Sequence, residues 1–122
     1  MKAEYDGKRN LAVFTLNEAL SREDFERAAA TIDPHIEEHS GLAGLVIVAE
    51  SFPGWESLGA FVAHMRFVHS HHRQVARVAM VTDSALGDLA EKVAGHFVSA
   101  QVKHFQYDDK EAALEWAAGG QG

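Results

Sequence analysis

A chain of 122 residues has the length of one domain, and at this size folding buries about two thirds of the surface that the unfolded chain exposes. Apolar residues make up 47% and charged residues 24% of the sequence, a globular composition that excludes disorder over most of the chain. The formal net charge of −7 would repel a phosphate backbone, which excludes nucleic acid as an expected partner.

A hairpin and an amphipathic helix are predicted at the start of the chain. Residues 2–6 and 11–17 flank a charged, turn-like segment and are typical of two antiparallel strands. Ser21 and Asp24 have the spacing of a capping box, and apolar residues recur at helical spacing over the following turns. Because Pro34 removes one backbone hydrogen bond, we expect a kink or a break in the helix before it.

Two continuous apolar runs, Leu45–Ala49 and Val78–Val81, predict central strands that are covered on both faces. A helical pattern over residues 57–72 joins them in a βαβ unit, and a second helical pattern spans residues 86–97. The remaining elements are a strand at Val102–Phe105, a helix at Asp109–Ala118 and a frayed tail at residues 119–122. The sequence therefore predicts a single α/β domain over residues 1–118, a mixed sheet of about five strands flanked by about four helices.

The location of the protein is predicted from what the sequence lacks. The first ten residues are charged throughout and have no apolar stretch of the kind that a signal peptide needs. The longest apolar run, Leu42–Ala49, falls far short of the roughly 20 residues that cross a bilayer as a helix. The sequence has no cysteine, which fits a reducing compartment. We expect a cytoplasmic protein that is not integral to a membrane.

Ligands of open α/β sheets bind outside the carboxyl ends of the strands, and two such ends are identifiable here. The loop from Glu50 to Ser57 is long for a strand-to-helix connection and carries Trp55. Asp83 follows the second apolar run, where it would stand at the entry of a helix. These residues are the predicted binding region. The alternative is that Trp55 only anchors its loop to the core and that Ser57 and Asp83 only cap helices.

The helix predicted over residues 57–72 carries two different stripes. The stripe with core spacing consists of Leu58, Phe61, Val62, Met65 and Val68. The second stripe, well away from the first, consists of Ala60, His64, Phe67 and His71. Either the fourth predicted helix, Asp109–Ala118, or a loop covers Phe67, or Phe67 faces an apolar ligand or a twofold-related subunit. We expect a homodimer if Phe67 is exposed.

Histidine-rich motifs raise the question of metal chemistry. Residues 35–39 match the H-x-x-E-H pattern of inverted zinc proteases, but that class needs a further ligand and a much larger scaffold. The histidines of residues 69–72 lie at the end of a helix, where they also interact favourably with its dipole. Residues 41–44 lack the side chains of a P-loop, and Ser57 lacks the flanking glycine and nearby base of a serine hydrolase. We expect no catalytic residues, no metal and no cofactor.

The residues that carry a family resemblance are spread over most of the chain. They are Phe52–Trp55 after the first central strand, Arg66 and Phe67 with His71 one turn on, Arg77–Asp83, and Phe105 followed by Glu111, Ala112 and Trp116. As a set they resemble the SpoIIAA-like family of small bacterial proteins, which have the STAS fold of anti-sigma-factor antagonists and are often grouped with lipid-binding CRAL-TRIO domains. The resemblance implies a mixed sheet flanked by helices, a dimer, and no established catalytic activity.

In the phosphorylatable antagonists a regulated serine lies at the start of the helix after the central strand, and Ser57 is the residue that matches it. A phosphate at a helix N-terminus is electrostatically favourable. Two hypotheses follow. One is a non-enzymatic binding module for a lipid or another apolar small molecule, with a site formed by Glu50, Trp55, Phe67, His71 and Asp83. The other is a phospho-regulated domain that binds a regulatory protein and is switched at Ser57.

Overall fold

The computed structural model describes residues 1–84 and 99–119. One mixed sheet with the strand order β1-β2-β3-β4-β5 forms its centre. The strands are β1 Lys2–Asp6, β2 Leu11–Thr15, β3 Leu42–Val48, β4 Val75–Val81 and β5 Gln101–Phe105. The first pair is antiparallel, as the predicted hairpin requires, and every later pair of neighbours is parallel. The predicted α/β architecture with a mixed five-stranded sheet is confirmed.

The described residues contain three α-helices. They are α1 (Arg22–His39), α2 (Leu58–His71) and α3 (Lys110–Ala117), with short 3-10 turns at His72–Gln74 and Tyr107–Asp109. The third predicted helix, over residues 86–97, lies outside the described residues, as do positions 120–122 of the predicted tail. Among the helices that the structure describes, none has the length and apolar character needed to cross a membrane.

Each face of the sheet has its own core, because alternate residues of a strand point to opposite faces. One core joins the strands to α3 and includes Leu11, Val46, Val48, Ala113 and Leu114. The other joins the strands to α1 and includes Ala12, Phe14, Leu45, Ala28 and Ile32. Strand β3 contributes to both cores, which explains why its sequence is continuously apolar.

Helix α1 begins at the predicted capping box and continues through Pro34. Ser21 Oγ accepts a hydrogen bond from Asp24 N–H at 3.2 Å, and Asp24 Oδ2 accepts one from Ser21 N–H at 2.9 Å. Of the two alternatives expected before Pro34, a kink or a break, the break is wrong, because the helix is continuous from Arg22 to His39. Ile32 and Ile36, on either side of the proline, are buried in the core. Burial of two such side chains stabilises the helix by about 3–6 kcal/mol, which offsets the lost hydrogen bond.

Gly44 of β3 allows a close approach between the sheet and α3. A Cβ atom on Gly44 would lie 2.1 Å from the carbonyl oxygen of Ala117 and 2.8 Å from its Cβ. Ala117 is itself fully buried. Since the obstructing atoms belong to a packed helix, no side-chain rotation relieves the overlap, and α3 would have to move away from the sheet.

We predict that Gly44→Ala lowers the free energy of unfolding by about 2–3 kcal/mol, the cost of overpacking a well-packed core. Gly7→Ala is the matched control, because a Cβ there would meet no atom nearer than Tyr5 Cε2 at 3.7 Å. The control is expected to change stability by less than about 0.5 kcal/mol. Urea denaturation measures the free energy of unfolding of both variants. Equal values for Gly44→Ala and Gly7→Ala would contradict the close approach of α3 to Gly44.

Candidate functional site

Helix α2 lies on the α1 side of the sheet with Phe67 turned inward. The ring centroid of Phe67 lies 6.3 Å from that of Phe14 in β2 and 6.1 Å from that of Phe25 in α1. Ala60 is fully buried, and His64 stacks on Phe25 with 4.9 Å between ring centroids. The second stripe of the sequence analysis is therefore the inner face of α2. The cover over Phe67 is provided by α1 and the sheet. The expectation that the fourth predicted helix covers it is wrong, because that helix, α3, packs in the core of the other face.

The expectation that the other stripe forms the core is wrong. Its members Leu58, Phe61, Val62 and Met65 have exposed fractions of 78%, 37%, 40% and 43%. The reason is steric: Phe67 and His64 already fill the space against Phe14 and Phe25, and with 3.6 residues per turn the opposite stripe then faces solvent. The sequence did contain a signal of this arrangement, because apolar residues lie on both sides of the helix. Each apolar side needs a partner that covers it.

The exposed apolar side chains are concentrated in one place. Of the six large hydrophobic residues that are exposed in the described part of the chain, five lie between positions 55 and 65. We call these five the apolar ridge: Trp55, Leu58, Phe61, Val62 and Met65. The sixth, Tyr107, follows β5 and lies outside the ridge.

A groove of about 390 Å³ runs beside the ridge and is lined by Phe61, Val62, Met65, Arg66, His69 and Ser70. Within the described residues, the side chains of Arg66 and His69 make no hydrogen bond or ion pair. Residues 57–82 contain no Asp or Glu, although the whole chain has 18 acidic residues. The ridge therefore lies in a basic, apolar segment of an otherwise acidic protein.

The loop before α2 is held at Trp55. Leu20 exchanges two backbone hydrogen bonds of 2.8 Å with the residues on either side of Trp55. The indole Nε1–H donates to His64 Nδ1 at 3.0 Å, and the ring packs edge-on against Phe52 and Phe61 at 5.0 and 4.8 Å between centroids. Trp55 thus anchors its loop and also contributes exposed surface to the ridge.

Ser57 is the N-cap of α2. Its Oγ accepts a hydrogen bond from Ala60 N–H at 3.1 Å, and the residue is exposed. The guanidinium group of Arg22 lies at the same helix end, because a Cβ atom on Gly59 would lie 2.9 Å from Arg22 Nη2 and 3.6 Å from Ser57 Oγ. A cation and a helix N-terminus therefore adjoin this hydroxyl group.

Glu50 and Asp83 meet at the carboxyl ends of β3 and β4. Asp83 N–H donates to the carbonyl oxygen of Glu50 at 3.0 Å, and Thr82 Oγ1 donates to the same oxygen at 3.2 Å. Asp83 Oδ1 accepts from Tyr107 N–H at 2.9 Å. These bonds tie together the segments that follow β3, β4 and β5.

His71 joins α2 to α1 beside Phe67, with 4.2 Å between the two ring centroids. Its Nδ1 lies 2.8 Å from the carbonyl oxygen of Phe67, and its Nε2 lies 2.7 Å from Asp33 Oδ1. Both partners are acceptors, so both contacts are hydrogen bonds only when the ring carries two N–H groups. The predicted site residues thus lie in three separate places. Trp55 and Ser57 come just before α2, Glu50 and Asp83 are bonded at the ends of β3 and β4, and Phe67 and His71 stack on the inner side of α2.

A family model described as SpoIIAA-like matches residues 11–118 of the chain. The chain belongs to the SpoIIAA-like family. It is also similar to the crystal structure of an uncharacterized DUF3478-family protein with a SpoIIAA-like fold from Shewanella loihica PV-4. The two share 23% sequence identity over 95% of this chain and 90% of that chain, with a TM-score of 0.77. At this identity the likeness shows the fold alone. No curated protein matches this SpoIIAA-like chain.

We predict that His64 makes this SpoIIAA-like protein sensitive to acid. Burial lowers the pKa of His64 below its ordinary value of 6.5, and Nδ1 must stay unprotonated to accept the bond from Trp55. Below pH 6.5 the unfolded chain binds a proton here that the folded protein does not bind. The stabilising contribution is therefore complete above that pH and is lost as the pH falls toward the lowered pKa of the folded state.

Urea denaturation on both sides of pH 6.5 tests this, with His64→Phe as the comparison variant because phenylalanine keeps a ring that can stack on Phe25. The wild type is expected to lose more stability on acidification than His64→Phe. An equal loss in the two proteins would show that His64 is not the responsible group.

Proposed function

We propose that this protein is a non-enzymatic binding module and that the apolar ridge is its binding surface. The observation that carries the proposal is the concentration of five of the six exposed large hydrophobic residues of the described chain in that ridge. Contiguous apolar patches on a protein surface mark contact sites for ligands, membranes or other proteins. We also propose a cytoplasmic location, which the absence of cysteine supports.

The ligand that fits this surface best is a lipid with one acyl chain and an anionic head group. The groove of about 390 Å³ lies at the small end of the range of roughly 300–1,000 Å³ for ligand pockets, which favours one chain over two. The ridge supplies apolar contacts along α2 from Leu58 to Met65. Arg66 and His69 line the same groove, and such groups bind carboxylate or phosphate through charge-assisted hydrogen bonds.

The residues singled out by the sequence take different parts in this proposal. Trp55 belongs to the ridge and contacts the ligand. Phe67 and His71 hold α2 from its inner side through Phe14, Phe25 and Asp33. Glu50 and Asp83 support the start of the loop that leads to α2 through their backbone hydrogen bond.

We predict that dodecanoate binds and that the double variant Phe61→Ser, Met65→Ser weakens its binding at least tenfold. Each buried methylene contributes about 0.8 kcal/mol, so the loss of two large contacts exceeds the 1.4 kcal/mol or so that corresponds to a tenfold change. Isothermal titration calorimetry measures the affinity. Tyr107→Ser is the matched control, because Tyr107 is 39% exposed but lies outside the ridge, and it is expected to leave the affinity unchanged.

The head group is tested by Arg66→Gln with dodecanoate and with dodecanol. The variant should weaken binding of the carboxylate and leave binding of the neutral alcohol unchanged. Co-sedimentation with phosphatidylglycerol vesicles distinguishes a free lipid from a membrane surface, since a free-lipid site leaves the protein in the supernatant. Equal effects of Arg66→Gln on the two ligands would contradict the anionic head group.

A second copy of the chain is the other candidate occupant of the ridge. Analytical ultracentrifugation of the wild type and of the double variant decides between them. A wild-type dimer that Phe61→Ser, Met65→Ser dissociates, together with no heat of dodecanoate binding, would overturn the lipid proposal in favour of a homodimer.

A specific observation favours phosphorylation of Ser57 as a second candidate function, in which a regulatory protein is the partner. Arg22 lies at the N-terminus of α2 beside the exposed Ser57 hydroxyl, so a phosphate there would meet both a guanidinium group and helix amides. Such an arrangement is suited to an added dianion.

We predict that Ser57→Asp is more stable than Ser57→Ala by about 1 kcal/mol, because it restores the N-cap acceptor and adds a charge at the helix N-terminus. The difference should shrink in the Arg22→Gln background. Thermal unfolding measures all four proteins. Intact-mass analysis of protein purified from its own host should show a phosphate that Ser57→Ala removes, and its absence would count against regulation at this residue.

A further inference from the structure

The end of α1 carries the H-x-x-E-H motif on one face. His35, Glu38 and His39 are spaced at i, i+3 and i+4, which brings their side chains to the same side of a helix. Their nearest nitrogen and oxygen donor atoms all lie within 4.8 Å of one another. His35 is half-buried, and Glu38 and His39 are exposed, so the group is open to solvent on one side.

One member of this group is held in place by the sheet. The ring of His35 stacks on Tyr5 of β1 with 3.6 Å between centroids and 7° between planes. Tyr5 O–H in turn donates to Asn10 Oδ1 at 2.7 Å, and Asn10 Nδ2–H donates to the carbonyl oxygen of Gly41 at 2.9 Å. The hairpin therefore fixes the position of one imidazole, in the way that outer hydrogen bonds and packing orient the ligands of metal sites.

We propose that His35, Glu38 and His39 bind a divalent transition-metal ion, with Zn²⁺ as the natural candidate. Imidazole nitrogen and carboxylate oxygen are ordinary zinc ligands at about 2.0–2.2 Å from the metal. Glu38 and His39 are free to rotate the short distance that convergence on one ion requires, because both are exposed. Three protein ligands leave a fourth position for water.

The electrostatic setting also favours a cation. The group lies in the last turns of α1, where the helix dipole places partial negative charge. The net charge of the chain is −7, which raises the local concentration of cations. The proposed role of Glu38 differs from that in the inverted zinc proteases, since here the carboxylate is a ligand of the metal and not a base beside it. Metal binding alone is proposed for this site, which is independent of the apolar ridge.

Titration of the full chain with Zn²⁺, followed by native mass spectrometry and isothermal titration calorimetry, tests the proposal. One ion should bind per chain. Replacement of either imidazole, in His35→Ala or His39→Ala, should weaken binding at least tenfold, and Glu38→Gln should weaken it as well. His69→Ala is the matched control, because His69 is an exposed histidine whose side chain makes no hydrogen bond or ion pair in the described part of the chain.

Electron paramagnetic resonance with Cu²⁺ as a probe counts the nitrogen ligands directly. The wild type should show two coordinated nitrogens, and His35→Ala and His39→Ala should each show one. Circular dichroism without metal establishes that the variants fold. If His35→Ala fails to fold because it loses its stack on Tyr5, the exposed positions Glu38 and His39 still provide the test.

Two results would overturn the proposal. One is Zn²⁺ affinity that the double variant His35→Ala, His39→Ala leaves unchanged. The other is a loss of Zn²⁺ affinity in His69→Ala that equals or exceeds the loss in His35→Ala and His39→Ala. That result would assign the ion to the histidines at the end of α2. Lipid binding by the ridge plays no part in either result, so failure of one proposal leaves the other standing.

Discussion

The packing of Phe67 between Phe14 and Phe25 sets the rotation of α2 about its own axis. Once this ring faces the sheet and α1, His64 and Ala60 face the same way, because they lie about one and two turns earlier on the helix. The opposite side, with Phe61 and its apolar neighbours, then has no place in that core. The apolar ridge is thus a consequence of one inward contact and of helical geometry.

His64 connects the inner and outer sides of α2. One face of its ring stacks on Phe25, while its Nδ1 accepts the bond from Trp55, which belongs to the ridge. The loop before α2 is also held by Leu20, whose backbone pairs with the residues on either side of Trp55. The position of the only indole in the ridge therefore depends on the packing of the core on the far side of the helix.

The two faces of the sheet are closed in different ways. On one face, Gly44 has no side chain to hold Ala117 away, so α3 lies directly against β3. On the other face, α1 covers the strands with Ile32 and Ile36 and also supplies Phe25 to α2. The basic segment that contains α2 and has no Asp or Glu joins this second layer through α1. Four of its outward-facing side chains, Leu58, Phe61, Val62 and Met65, have exposed fractions of 37% to 78%.

The sequence by itself determined the elements. Strands β3 and β4 were identifiable because residues buried on both faces must be apolar without interruption, and the start of α1 was identifiable because a capping box is a local interaction between Ser21 and Asp24. The order of elements also determined the fold family, which the family match over residues 11–118 confirms. Only the tertiary structure decided which stripe of α2 faces inward. Both stripes have helical spacing, and the choice depends on Phe14 and Phe25, which are distant in sequence. The bond from Trp55 to His64, the position of Arg22 beside Ser57 and the stack of Tyr5 on His35 likewise join separate parts of the chain, so periodicity and spacing within one segment carry no information about them.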